Sequence, residues 1–132
     1  MDTNKVVAEL QHKYPGKKII KLPEDSPTEI LCEYEPTENH PEWSEAISVL
    51  DKSVPHYHKV LTETYEIQKG GLVVYKGKEK LRLKEGDTLV IEPGVIHWAE
   101  GSETWIKVSS NPGWAPEDHI IQKTNKAREN NP

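Results

Sequence analysis

Pro55-His56-Tyr57-His58-Lys59-Val60-Leu61-Thr62-Glu63-Thr64-Tyr65-Glu66-Ile67-Gln68-Lys69-Gly70-Gly71 is the stretch on which the reading of this chain turns. Two histidines stand one residue apart, and a glutamate, an alternating run and a Gly-Gly turn follow. In an extended strand, side chains i and i+2 share a face, roughly 6–7 Å apart along the chain. His56 and His58 could therefore close on one metal ion from one side of a sheet. Glu63 lies at an odd offset from His58, so a single straight strand would put it on the opposite face. A turn or bulge within residues 59–62 would let a second strand bring Glu63 back to the same site. In that strand Glu63, Tyr65 and Ile67 share one face, and Thr64, Glu66 and Gln68 the other.

Outward from this stretch, the chain reads as short strands separated by turns. Upstream, residues 45–51 alternate, with Ala46, Ser48 and Leu50 on one face and Ile47 and Val49 on the other. Lys18 to Leu22 and Glu29 to Glu35 are two more strand candidates, closed by proline-containing turns. Before them, Val6, Val7, Leu10 and Tyr14 recur at helical spacing behind the possible caps Asp2 and Thr3, and Pro15-Gly16 ends the pattern. That helix could be a dimer arm or could pack on its own domain. Downstream, Leu72 to Lys76 and Glu79 to Leu83 flank a Gly77-Lys78 turn, a hairpin signal. Thr88 to Ile91, residues 95–99 and residues 104–108 complete about eight or nine strands without intervening helices, which implies an antiparallel sandwich or barrel.

Length and composition narrow the options. At 132 residues the chain suits one domain. Its net charge is −5, with no basic block, so a nucleic-acid partner is not expected. No apolar run approaches the roughly 20 residues of a membrane span, and no signal-peptide pattern opens the chain. Cys32 is the single cysteine, read as a small buried apolar residue, and a reducing cytoplasmic location is expected.

His97 is a third histidine in a strand context, entered through Pro93-Gly94. By alternation, Trp98 points away from it, and Tyr57 away from His56 and His58. Three imidazoles and one carboxylate suit Fe, Mn, Ni, Co, Cu or Zn, and without thiolates a closed structural zinc site is disfavoured.

Together these motifs resemble those of the cupins, whose domain is a double-stranded β-helix, a jelly-roll barrel. His56, His58, Glu63 and Gly70 are spaced as in the family's first motif, within residues 55–71. Gly86, Gly94 and His97 are spaced as in its second, within residues 86–97. Leu50, Glu92 and Gly101 depart from the family's usual Gly, Pro and Asn; none of these positions binds metal in the family. The resemblance implies one divalent transition metal ion held by His56, His58, Glu63 and His97. It also implies a pocket lined by Tyr65, and a homodimer. The expected organisation is a helix and lead-in over residues 1–17, the barrel over 18–121 and a polar tail over 122–132.

Tyr65 is the candidate catalytic group, a general acid or base beside the metal. The function expected is an enzyme acting on a small polar metabolite, a sugar or sugar-phosphate isomerase or a lyase. A metal-dependent dioxygenase and a non-catalytic small-molecule binding module are the alternatives. Phosphate recognition would require inward basic residues, for which Arg82 and Lys107 are the candidates. The segment Asn111-Pro112-Gly113-Trp114-Ala115-Pro116-Glu117-Asp118-His119 is either a flap with Trp114 over the barrel mouth or a strap that seals an edge. His40, between Asn39 and Pro41, is expected to be an exposed loop residue.

Overall fold

A computed structural model describes residues 1–122; the rest of the expected polar tail lies outside the described residues. Helix α1 spans Thr3–Lys13, with the Asp2 carboxylate accepting from the Lys5 amide at 3.3 Å. The strands are β1 (Lys18–Leu22), β2 (Glu29–Glu35), β3 (Ser44–Lys52), β4 (His56–Tyr57) and β5 (Thr62–Lys69). They continue as β6 (Leu72–Lys76), β7 (Glu79–Leu83), β8 (Thr88–Ile91), β9 (His97–Asn111) and β10 (Ile120–Ile121). All strand pairs are antiparallel, and the sheet curls into the barrel expected from the sequence.

One strand organises the barrel. The expectation of two strands at residues 95–99 and 104–108 is replaced by the single 15-residue β9. Its first part pairs with β4 and β6, and its second part runs between β3 and β5. The intervening Gly101-Ser102-Glu103 does not end the strand. Gly101 is required there. A Cβ on it would collide with the Thr104 side chain and come within 3.1 Å of the Leu50 carbonyl. This is a physical reason for glycine where cupins often carry asparagine.

Each strand face has a distinct role. Leu50, Tyr65, Ile67, Leu72, Val74, Ile91, Ala99 and Ile106 fill the barrel interior. On the outer face, Ile30, Cys32, Ile47, Val49 and Trp105 are covered by Val6 and Leu10 of α1. The helix thus packs on its own domain, and Cys32 is buried and unpaired. Trp98 turns outward and stacks on Tyr75 at 4.0 Å between ring centroids. His40 is half-buried rather than exposed, because it stacks on Trp43 and meets Glu35 Oε2 at 2.8 Å, away from the histidine cluster.

Candidate functional site

The turn inferred between the two histidines and Glu63 is present. His56 stands on β4, directly opposite His97 at the start of β9. His58 lies in the loop that follows, and Glu63 and Tyr65 sit on the inward face of β5 with Ile67. Gly94, with φ 84°, donates its amide to the His58 carbonyl at 2.6 Å, tying the second motif to the first. A positive φ at this position favours glycine.

His56, His58, Glu63 and His97 are all buried, and one ligand atom from each lies within 4.8 Å of all the others. Every imidazole is oriented from behind. The Nδ1 atoms of His56, His58 and His97 lie 2.8, 2.8 and 2.9 Å from the carbonyls of Val54, Asp118 and Val95. A carbonyl can only accept, so each Nδ1 carries a proton and Nε2 is the ring nitrogen left free to meet Glu63 or a cation, as a lone pair whenever the ring is neutral. His97 Nε2 is 3.1 Å from Glu63 Oε1. His58 Nε2 is buried without a hydrogen-bond partner among the described residues, 3.6 Å from the same oxygen. Buried ring nitrogens converging on a carboxylate need a shared proton or a cation between them. This arrangement fits one metal ion, with the carbonyls fixing the ligand tautomers.

The electrostatics agree. Burial pushes His56 down to about 3, and the neighbouring His97 adds to this, so His56 is neutral near pH 7. Burial alone would raise the Glu63 carboxyl, but His58 and His97 outweigh it and hold it well below the usual carboxylate range. Burial would lower His58, yet Glu63 overrides it and raises the imidazole. Burial, with Glu63 and Glu29, holds the Tyr65 phenol well above its ordinary value. In these surroundings the Tyr65 phenol holds its proton.

A cavity of about 260 Å³ reaches the cluster through His56 and Glu63 and is also lined by Tyr65 and Trp114. Two further groups here were not singled out from the sequence. Glu29, on β2, faces the cavity and accepts from the Ser48 hydroxyl at 2.8 Å. Burial raises its carboxyl to about 7, opposed by the Ser48 hydrogen bond and reinforced by Glu63. His119 stacks on His56 at 4.5 Å, its Nδ1 buried and unpartnered among the described residues. The alternation of Ile30 and Cys32 with Glu29 was the available signal for the first; nothing local marked the second.

The segment carrying Trp114 and His119 is a strap whose Trp114 also lines the cavity. Trp114 is held by Ser44 Oγ and by the Thr37 hydroxyl. The Asp118 carboxylate accepts the amides of Lys59, Val60 and Leu61 at 2.7, 3.1 and 3.0 Å. Asp118 thus clamps the loop bearing His58, while its carbonyl orients the His58 ring. Arg82 is exposed, and Lys107 pairs with Glu66 and with Glu45, itself at the cavity wall. Neither enters the cavity.

Residues 46–104 match the model of the Cupin domain. No curated protein matches the chain in sequence. Among solved structures, Pac13 of Streptomyces, a nucleoside dehydratase, aligns with a TM-score of 0.69 at 14% identity, over 84% of this chain and 92% of its own. KdgF from Halomonas sp. aligns with a TM-score of 0.61 at 19% identity, over 72% of this chain and 87% of its own. A cupin-like protein from Thermotoga maritima gives 0.55 at 19% identity, over 63% and 67%. The matched domain and the barrel agree with these solved structures on a cupin fold, consistent with a small cupin-superfamily domain.

Proposed function

We propose that this protein is a mononuclear metal cupin that catalyses isomerisation or elimination on a small polar metabolite. His56, His58, Glu63 and His97 hold one divalent transition metal ion, which when bound supplies Lewis acidity to ligand oxygens. The single observation that carries this is the set of three Nδ1–carbonyl contacts, which aims all three Nε2 lone pairs toward one point beside Glu63. Tyr65, on the same strand face as Glu63, donates a proton to the departing or rearranging oxygen. Glu29 and His119 add titratable groups to the cavity wall. This polar, proton-handling wall favours isomerase or lyase chemistry over a dioxygenase or a purely binding role. Pac13, which shares the fold, is a dehydratase, and loss of water is lyase chemistry.

Metal analysis by mass spectrometry, on protein purified without added metal or chelator, tests the reading. The wild type should carry near one equivalent, and His58→Ala should lose stoichiometric metal; a full equivalent retained in the variant sinks the ligand assignment. Tyr65→Phe should keep the metal, separating the proton donor from the ligands; metal loss there would make Tyr65 structural to the site. The proposal also takes the protein as a cytoplasmic homodimer, for which β1, paired only with β2 among the described strands, leaves an edge to cover. Sedimentation of the purified protein checks the dimer. Among the described residues no helix is long and apolar enough to cross a membrane.

A further inference from the structure

We propose that the cavity takes an uncharged, hydroxyl-bearing molecule of monosaccharide size and rejects its phosphorylated counterpart, with Glu29 as the carboxyl that receives the ligand's hydroxyl groups. The inference rests on the metal-site reading above and names the ligand class of that site.

Three observations carry it. The first is charge. Among the described residues lining the cavity, none is lysine or arginine. Glu29 and Glu63 both face it, and Glu33 and Glu35 follow Glu29 on the same face of β2. The ammonium groups of Lys18 and Lys107 are already paired with the lining carboxylates Glu33 and Glu45, at 4.0 and 3.8 Å. A phosphate dianion entering here would therefore meet a net excess of carboxylates, and like charges brought together in a poorly hydrated space are strongly unfavourable. A divalent ion at the histidine cluster would already be shared with Glu63.

The second is the character of Glu29. Its Oε2 is fixed by the Ser48 hydroxyl at 2.8 Å, so the carboxyl is held in one orientation instead of swinging into solvent. In the metal-free cavity, burial raises the carboxyl to about 7. It can then both donate to and accept from a ligand hydroxyl, the pairing that adjacent sugar hydroxyls require. A carboxyl in this state suits a neutral polyol, whereas its ionised form can only accept and repels an anion.

The third is size and wall chemistry. A volume of about 260 Å³ falls below the roughly 300–1,000 Å³ of drug-sized ligand pockets. Apolar walls such as Leu31, Ile106 and Val108 face the polar groups across this space. That division matches a sugar ring, which has an apolar face and a hydroxyl-bearing rim.

The test is calorimetric titration of wild-type protein with two matched pairs, D-ribose with D-ribose 5-phosphate and D-glucose with D-glucose 6-phosphate. Metal content is measured on the same samples, and the titrations are repeated after chelation. At least one uncharged probe should bind, with its phosphorylated partner at least about tenfold weaker. Glu29→Gln keeps the shape but loses the proton exchange and the charge. It should weaken the uncharged probe by about three- to tenfold and narrow the gap, with metal content unchanged. A phosphorylated probe that binds as tightly as its partner overturns the inference. So does the failure of both uncharged probes to bind, or a Glu29→Gln variant with unaltered constants. Discrimination that persists after chelation supports the cavity's charge as the cause. If the wild type takes up no metal, the metal reading fails while this discrimination remains measurable.

Discussion

Strands β2, β3 and β9 each serve two interiors, and the two are built from opposite chemistry. Outward, they contribute Ile30 and Cys32, Ile47 and Val49, and Trp105 to a cluster closed by Val6 and Leu10 of α1. Inward, the alternate positions contribute Glu29 and Leu31, Ser48 and Leu50, and Ile106 and Val108 to the cavity wall. The outer cluster is almost wholly apolar. The inner one mixes apolar walls with carboxylates, imidazoles and hydroxyls. A barrel with 34% hydrophobic residues cannot spend all its apolar side chains inside and still bury a titratable site. Helix α1 resolves this by creating a second buried face, which stabilises the strands from outside and leaves their inner positions available for chemistry.

The sharpest way to break this comparison is to damage the outer face alone. Leu10 is fully buried, and Leu10→Ala should lower stability by about 3 kcal/mol through lost burial and a residual cavity. Metal stoichiometry of the remaining folded protein should be unchanged. Denaturant unfolding and metal analysis on the same preparation check both halves. Loss of metal at temperatures where the variant is still folded would show that the two faces are not separate in function.

Much of the inner face was legible from residue pattern. The spacing of His56, His58, Glu63 and His97 located the cluster, and period-2 alternation placed Glu63, Tyr65 and Ile67 together. The turn needed between His58 and Glu63 was inferred from parity alone. What was not legible depends on contacts distant in sequence. Residues 95–99 and 104–108 read as two separate strands, yet pairing with β3, β5 and β6 joins them into β9. Glu29 hides in a strand whose alternation is weak, and its inward direction is set by Ile30 and Cys32 packing under α1. His119 and Asp118 belong to the segment read as a flap or a strap, but their approach to His58 depends on contacts distant in sequence.

That strap supplies the second prediction. Asp118 contributes its carboxylate to three amides of the loop carrying His58. Asp118→Ala should leave the barrel folded and loosen that loop. Partners of this kind, once removed, typically cost about 10- to 100-fold in metal affinity. Competition with a chromophoric chelator measures the change. Unaltered affinity would make the clamp a closure of the barrel edge with no part in holding the candidate ligands.

The smallest expected effect is also the most specific to the inner face. Glu29 has a carboxyl raised from 4.5 to about 7, first by burial, with Glu63 adding to it and Ser48 opposing it. A carboxyl whose value is higher folded than unfolded contributes stability that is fully present below the unfolded value. That contribution is lost as pH rises through the folded value. For Glu29 the loss falls between about pH 4.5 and pH 8. Glu29→Gln keeps the acceptor for Ser48 and has no proton to lose. Relative to wild type, the variant should therefore gain stability from pH 5 to pH 8, by roughly 1–2 kcal/mol for a carboxyl that faces a cavity rather than solid core. Chelated protein is used for both, so that a bound cation does not lower the Glu29 carboxyl. His58, Glu63 and Tyr65 titrate alike in the two proteins to first order, and the difference between the two stability curves isolates Glu29. Curves that run parallel across this range would mean that Glu29 is solvated like a surface carboxylate. The inner face would then lose the polar character that sets it apart from the cluster under α1.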